Sequence, residues 1–169
     1  MSIPYFACML AVSQFYHLPP RVLPSIQAVE AGRVGTISRN LNGTADLGVM
    51  QVNTRWVPFF AQSWYMTPRE VAERLIDDPC FNIAAAGAIV RIYLDESHGD
   101  VVRAVGYYHS HTPDLASWYQ IKVIRASYWL FGRPRETRVK SRRRVVQAVA
   151  HRIGYQHRFV VPQAVDSDW

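Results

Sequence analysis

Residues 33–53 read RVGTISRNLNGTADLGVMQVN, and this stretch differs in character from the rest of the chain. Turn-forming residues recur in it, among them Asn42, Gly43 and Gly48, and β-formers such as Val52 lie between them. This pattern predicts a short irregular hairpin or a small sheet. Because the flanking segments have helical spacing, the sequence predicts an α+β fold that is mainly α-helical, with one small β segment near residues 33–53.

Helices are predicted on both sides of this β segment. From apolar spacing and end signals they lie at residues 4–17, about 20–30, from 67 onward, 79–97, 100–108, 112–131 and 137–153. Thr67 and Glu70 have the spacing of a capping box. The helix at 79–97 is expected to be the most buried, because its run of small residues lets other helices pack closely against it.

The charge is unevenly distributed along the chain. Residues 1–130 contain 10 Lys and Arg and 10 Asp and Glu, whereas residues 131–169 contain 9 and 3, so the net charge of +6 belongs to the C-terminal part. We predict one domain at residues 1–132, and a basic helix and tail at 133–169 that packs on this domain or extends it. Basic runs can bind nucleic acid, an anionic membrane or carboxylates. No aromatic residues alternate with the basic ones over 133–144, so a solvated helix face is favoured and nucleic acid is not an expected partner.

The sequence contains neither a membrane span nor a recognisable signal peptide. Its longest apolar run, Tyr5 to Val12, is far shorter than the roughly 20 residues that a spanning helix needs. The first basic residue is Arg21, so the positively charged start of a signal peptide is missing. For an exported protein this implies that a leader has been removed or that export uses another route.

The cysteines and histidines do not have the spacing of a metal site. Cys8 and Cys80 are far apart, and their spacing alone is compatible with one disulfide or with two buried thiols. His109 and His111 have no nearby cysteine or regularly spaced acid, and they are interpreted as groove-bordering or surface residues. We therefore expect no metal and no cofactor.

Glu30 is the candidate general acid. It ends an apolar helix, four residues after Ile26, so its carboxyl can be partly desolvated, which raises the pKa as a general acid near neutral pH requires. A glutamate in the last turn of a helix is more often a solvated surface residue. Gln51 and Asn53 lie two apart, so on a strand they share a face and can bind a ligand rich in hydroxyl and acetamido groups. A pair of satisfied structural amides explains them equally well.

Four blocks of sequence together resemble the soluble lytic transglycosylase domain of the lysozyme-like superfamily. In the order of the family, they are Glu30-Ala-Gly32, Asn42-Gly-Thr-Ala-Asp-Leu-Gly-Val-Met-Gln-Val-Asn53, Asp78-Pro-Cys-Phe-Asn-Ile83 with Gly87, and Ala104-Val-Gly-Tyr-Tyr-His-Ser110. They lie within about residues 8–125, and the second block together with the upstream glutamate is the most specific signal. The chain is most similar to the specialised members that accompany secretion, conjugation and pilus systems.

The resemblance implies a lysozyme-like fold with Glu30 as the single catalytic acid/base. The substrate-binding residues that it implies are Ser38, Met50, Gln51, Asn53 and Tyr108. Tyr108 matches the tyrosine that holds the catalytic carboxyl, and Cys8 and Cys80 match a pair that is often disulfide-bonded in exported members. The chain departs from the family pattern at Ala31, which is usually serine, and at His111, where a common glycine is missing. Neither departure removes a group that the reaction needs.

The resemblance also implies an enzyme, a peptidoglycan lytic transglycosylase in the periplasm or exported. Its partners would be glycan strands and components of a secretion, conjugation or pilus machine, and it would cleave the β-1,4 bond between MurNAc and GlcNAc to leave a 1,6-anhydro end. The alternatives are a hydrolytic muramidase acting on the same bond, and a non-catalytic wall- or nucleic-acid-binding module. Asp46 is the only nearby candidate for a second carboxylate, and it is expected to hydrogen-bond loop amides instead.

Overall fold

The computed structural model describes residues 3–132, and within them the fold is mainly helical. The α-helices of this part are α1 (Phe6–Phe15), α2 (Val22–Glu30), α3 (Val57–Ser63), α4 (Pro68–Asp77), α5 (Pro79–Glu96), α6 (Val101–His109) and α7 (Pro113–Phe131). The strands are β1 (Ile37–Arg39), β2 (Ala45–Leu47) and β3 (Val52–Asn53). The predicted α+β organisation is confirmed, with the sheet inside the 33–53 stretch. The predicted C-terminal segment 133–169, with its helix at 137–153, lies outside the described residues.

The three strands form one antiparallel sheet in the order β1-β2-β3. In this register Ser38 pairs with Asp46 and Asp46 pairs with Asn53, so three polar side chains share one face of the sheet. Leu47 and Val52 also pair across β2 and β3, and both are buried in the core. The sheet therefore has one apolar face on the helical core and one polar face away from it.

Helix α5 is the centre of the helical core, as its small residues predicted. Its buried residues are Asn82, Ile83, Ala85, Ala86, Gly87, Ile89, Val90 and Leu94. Helices α1, α4 and α6 all pack against it. Small side chains shorten the distance at which neighbouring helices can approach, so a helix of this composition can be surrounded on several sides.

The ends of the central helices are set by side-chain caps. The capping box of α4 is present, with Thr67 accepting from the Glu70 N–H and the Glu70 side chain accepting from the Thr67 N–H. Asp78 caps α5 and Asp100 caps α6, each side chain accepting a hydrogen bond from the backbone N–H three residues later. Residues 54–66, which no simple pattern assigned, form a short 3₁₀ helix at Thr54–Trp56 followed by α3.

Cys8 and Cys80 form a disulfide bond, with their Cα atoms 5.5 Å apart. The bond joins α1 to the first turn of α5, and this is the pairing that the resemblance implied. Within residues 3–132, no helix is both long enough and apolar enough to cross a membrane.

Candidate active site

A groove of about 450 Å³ runs past the carboxyl group of Glu30. Its polar lining comes from α2 and the sheet region and consists of Glu30, Asn40, Asn42, Asp46, Gln51 and Asn53. Its aromatic lining comes from the 3₁₀ helix, α5 and α6 and consists of Trp56, Tyr93, Tyr107, Tyr108 and His109. Amides and carboxylates can hydrogen-bond hydroxyl and acetamido groups, while aromatic rings offer flat apolar surface. The lining therefore suits a polar ligand that also has apolar faces.

Helix α2 ends at Glu30 because the next residue leaves the helical conformation. Ala31 is left-handed, with φ of 52°, and Gly32 follows it. A Cβ at Gly32 would lie only 2.2 Å from the carbonyl oxygen of Gly48, so a side chain there would separate the helix end from the β2–β3 loop. The Glu-Ala-Gly sequence thus holds the Glu30 carboxyl beside the loop that carries Gln51.

The carboxyl group of Glu30 has a pKa raised to about 7. Burial is the largest cause, since desolvation disfavours the carboxylate, and the negative charge of Asp46 acts in the same direction. The hydrogen bond from Tyr119 and the positive charge of Lys122 oppose this shift. A carboxyl with such a pKa exchanges its proton near neutral pH, as a group that must both donate and accept one requires.

Tyr119 of α7 holds the Glu30 carboxyl, a role that sequence analysis missed. Its hydroxyl donates to Glu30 Oε1 at 2.5 Å, and its ring is buried. The expectation that Tyr108 holds this carboxyl is wrong, because the Tyr108 hydroxyl donates instead to the carbonyl oxygen of Met50 at 2.8 Å. The spacing of Tyr119 with Ala116 and Val123 marks the buried face of α7, but spacing alone does not show what that face contacts.

Tyr119→Phe is expected to move the pH dependence of any reaction in which Glu30 acts as the acid. Because the Tyr119 hydrogen bond lowers the pKa of Glu30, its loss raises that pKa above about 7. On the alkaline side of the pH profile, where activity falls as Glu30 loses its proton, the curve should therefore shift to higher pH. In addition, kcat should fall about tenfold because the carboxyl is less firmly oriented. The measurement is a pH profile of kcat/KM. Tyr128→Phe, an exposed tyrosine on the same helix, serves as the control and should leave the profile unchanged.

A buried amide fixes the loop between β2 and β3. Asn82 of α5 accepts a hydrogen bond from the Met50 N–H at 2.8 Å and donates to the carbonyls of Leu47 at 2.7 Å and Leu75 at 2.8 Å. Gly48 has φ of 68°, and a Cβ there would lie 2.1 Å from the Leu75 carbonyl oxygen. Only glycine allows this close approach.

Met50 does not contribute its side chain to the groove. That side chain is fully buried in the core, which corrects the expectation that it binds substrate. Its contribution to the site comes through the backbone, because its carbonyl accepts from Tyr108 and its N–H donates to Asn82. The residue therefore joins the groove wall to the core.

Gln51 is held in the groove wall by Ser38, and it does not share a strand with Asn53 as their spacing suggested. Gln51 precedes β3 and has φ of 51°, so it does not lie on a strand with Asn53, although both residues line the groove. The Gln51 amide donates to the Gly48 carbonyl at 2.8 Å and accepts from the Ser38 hydroxyl at 2.6 Å. Ser38 is not part of the groove lining, which corrects its predicted role, and instead holds Gln51 in place.

Asp46 is engaged by side-chain amides on both sides. Its Oδ1 accepts from Asn53 Nδ2 at 2.7 Å, and its Oδ2 accepts from Asn40 Nδ2 at 3.0 Å. The expectation that Asp46 hydrogen-bonds amides is thus met by the side chains of asparagines, not by the loop backbone. Both carboxylate oxygens face hydrogen-bond donors, so the group organises the polar face of the sheet.

The two histidines of the 104–111 block occupy different places. His109 lines the groove and stacks on the Tyr119 ring, with ring centroids 4.8 Å apart. Partial burial lowers the pKa of His109, and the nearby Lys122 adds to this effect. His111 Nε2 lies 3.0 Å from Glu96 Oε1, and its ring stacks on Tyr107 with centroids 4.2 Å apart. Residues 3–132 contain no cluster of three or more His, Cys, Asp or Glu side chains that could hold a metal ion.

No protein-family model matches the chain, and a comparison with curated proteins gives no match either. What the groove can do chemically therefore rests on its own residues. It combines one carboxyl that titrates near neutral pH, amides held in fixed positions and a wall of aromatic rings. This set suits acid–base chemistry on a carbohydrate.

Proposed function

We propose that this protein is a peptidoglycan lytic transglycosylase with a lysozyme-like fold. The observation that carries the proposal is the Glu30 carboxyl, which is partly desolvated, held by Tyr119 and placed in a groove lined by amides and aromatic rings. Its pKa of about 7 lets both the acid and the carboxylate be populated at neutral pH. The resemblance of the four sequence blocks supplies the substrate class.

In the proposed reaction, protonated Glu30 donates its proton to the glycosidic oxygen while the bond from that oxygen to C1 of MurNAc breaks. The acetamido group of the same sugar stabilises the positive charge that develops at C1. The Glu30 carboxylate then removes the proton of the C6 hydroxyl as that oxygen bonds to C1. The products are a 1,6-anhydro-MurNAc end and a GlcNAc with a free hydroxyl, water is not consumed, and Glu30 is again protonated.

The state of Asp46 supports this reaction over hydrolysis by two carboxylates. A glycosidase of the usual type needs a second carboxylate, which acts as nucleophile or activates water. Asp46 lines the same groove, but its two oxygens accept hydrogen bonds from Asn53 and Asn40. These hydrogen bonds fix the carboxylate on the polar face of the sheet and occupy part of its acceptor capacity, which disfavours a role as nucleophile or as base toward water. A hydrolytic muramidase remains the second candidate, since both reactions cleave the same bond.

The resemblance to specialised members extends the proposal to the setting. We place the enzyme in the periplasm or outside the cell, where it opens the wall locally for a secretion, conjugation or pilus machine. A non-catalytic wall- or nucleic-acid-binding module would not need a desolvated carboxyl in a groove, and the raised pKa of Glu30 disfavours that alternative.

Digestion of purified wall sacculi, followed by mass spectrometry of the released muropeptides, tests the reaction. The expected products end in 1,6-anhydro-MurNAc and lack one water relative to reducing ends. The same digestion in water enriched in oxygen-18 should leave the new ends unlabelled, because no water enters the reaction. Reducing ends labelled with oxygen-18 would identify the hydrolytic muramidase instead, and no release of muropeptides would contradict both enzymes.

A further inference from the structure

The lining of the groove is continuous with an exposed cluster, formed by the end of α6 and by α7, that the proposed reaction does not use. We define this rim cluster as His109, Trp118 and Lys122. The His109 ring lines the groove, and its centroid lies 6.3 Å from that of Trp118. The Lys122 ammonium lies over the Trp118 ring, 3.6 Å from its centroid. The three side chains thus form a contiguous path from the groove to a positive charge on its rim.

Lys122 is not one of the four basic residues of the described chain that are held in salt bridges to a nearby carboxylate. Arg69, Arg74, Arg91 and Arg103 each pair with a carboxylate three or four residues away. Among residues 3–132, no Asp or Glu forms a salt bridge with Lys122. Its ammonium is instead positioned by the Trp118 ring, a cation–π contact that leaves the positive charge available to an external anion.

The charge of Lys122 acts inside the reaction site. Burial raises the pKa of Glu30 and the Lys122 charge opposes that shift, while the same charge adds to burial in lowering the pKa of His109. Lys122 lies one turn after Tyr119 on α7, and the Tyr119 hydroxyl contacts Glu30, so the ammonium and the carboxyl belong to the same region of the groove. An anion bound to Lys122 would therefore lie close to the sugar on which Glu30 acts.

We infer that the rim cluster is a substrate subsite, in which Lys122, positioned by Trp118, binds a carboxylate of the stem peptide carried by the muramic acid next to the cleaved bond. This inference rests on the proposed function. In a peptide-bearing strand the lactyl carboxyl of each muramic acid is consumed in the amide bond to its stem peptide, so the free carboxylates belong to the stem peptides. Trp118 is 54% exposed, so its ring also offers surface to the peptide or the sugar. The enzyme would thus prefer glycan that carries free peptide carboxylates.

The test compares two substrates that differ only in charge. Soluble, uncross-linked glycan chains with stem peptides are cleaved as isolated, and again after their peptide carboxylates have been converted to primary amides. At low salt the wild-type protein should cleave the carboxylate-bearing chains with a kcat/KM about fivefold higher, the size expected for one exposed ion pair. The preference should shrink as salt is added.

The variants then assign the preference to the rim cluster. Lys122→Gln should reduce the ratio of the two kcat/KM values to about one, whereas Lys122→Arg should keep it. Trp118→Leu should lower the ratio, because Lys122 loses its support. Arg125→Gln removes the same charge one turn further along α7 and should leave the ratio at its wild-type value. Comparing the ratio of the two kcat/KM values cancels any change that Lys122→Gln causes in the pKa of Glu30, since that change affects both substrates equally.

The outcomes separate the subsite from the reaction. Cleavage of both substrates with the same ratio in wild type and Lys122→Gln would overturn the subsite and leave the proposed function standing. An equal loss of preference in Arg125→Gln would show a diffuse effect of net charge and would also overturn it. Failure of the wild-type protein to cleave either substrate would overturn the proposed function, and the subsite with it.

Discussion

Glu30→Gln is expected to abolish glycan cleavage while leaving the fold intact. The amide is nearly isosteric with the carboxyl, but at neutral pH it neither donates nor accepts the proton that the reaction transfers. General acid–base catalysis contributes about 10²–10⁴-fold to a rate, and here one group performs both transfers, so the loss should be at the upper end of this range or beyond. The measurement is the rate of release of anhydro-muropeptides, with circular dichroism to confirm the fold.

The same variant should change how stability depends on pH. The pKa of Glu30 is raised in the folded protein, from 4.5 to about 7, so the folded state holds a proton that the unfolded chain releases. The free energy of unfolding of the wild-type protein should therefore fall between pH 4.5 and about 7, by roughly 3 kcal/mol from this group, and then level off. Glu30→Gln lacks this contribution. Denaturant unfolding at pH 4 and pH 8 should show the variant gaining stability relative to the wild type as the pH rises.

Glu73→Gln is the matched control for both effects. Glu73 is exposed and pairs with Arg69 on the surface of α4, so this variant should keep full activity and show no such gain at pH 8. Wild-type cleavage by a folded Glu30→Gln variant would contradict the catalytic assignment. An identical pH dependence of stability in the wild type and Glu30→Gln would contradict the raised pKa, independently of any activity measurement.

Asn82→Leu is expected to cause the largest loss of stability of any single side-chain change considered. The side chain is fully buried, and its replacement leaves the Met50 N–H and the carbonyls of Leu47 and Leu75 without their partner. A buried polar group left unpaired costs about 1–3 kcal/mol, so three of them should lower the free energy of unfolding by at least about 3 kcal/mol. A thermal melt should show a drop of roughly 10 °C.

The same Asn→Leu substitution at an exposed position separates the cost of leaving buried groups unpaired from the effect of the side-chain change itself. Asn42→Leu changes a residue at the tip of the β1–β2 hairpin, which is open to solvent, and should cost less than about 1 kcal/mol. Activity gives a second readout, because Asn82 holds the loop that carries Gln51. The Met50 carbonyl of that loop also accepts the hydrogen bond from Tyr108. At a temperature where it is folded, Asn82→Leu should therefore cleave glycan more slowly than the wild type. Asn42→Leu is a control for stability only, because Asn42 lines the groove. Equal melting temperatures for the two variants would show that the buried amide does not anchor the loop.

Much of the fold was predictable because its signals are local. The Thr67–Glu70 capping box depends on four neighbouring residues, and the structure contains it. The small-residue run after Pro79 predicted the most buried helix, since side-chain size limits how closely helices approach. The turn residues of 33–53 likewise marked the only sheet in the described part of the chain. Each of these features is encoded within a window of one element.

The site was predictable only where a residue's own segment determines its environment. Glu30 at the end of an apolar helix is such a case, and the structure places it, partly buried, in the groove. Gln51 was chosen from strand periodicity, yet its φ of 51° takes it off the strand, because Gly48 and Asn82 lock the preceding turn. The loop that carries Gln51 to the groove is held by hydrogen bonds to Asn82 of α5, and no local sequence pattern predicts such contacts between distant segments.

The sequence by itself determined the class of fold, the boundaries of most described helices and the candidate acid. Only the tertiary structure decided which hydroxyl holds that acid and which face of α7 meets the groove. Tyr119 is 89 residues from Glu30, and its role depends on how α7 packs against α2 and α6. The Lys122 charge acts on Glu30 for the same reason, since it lies one turn after Tyr119 on the same helix. Helical periodicity predicts which residues share a face, but partners distant in the chain are brought together by packing, which depends on all the elements at once.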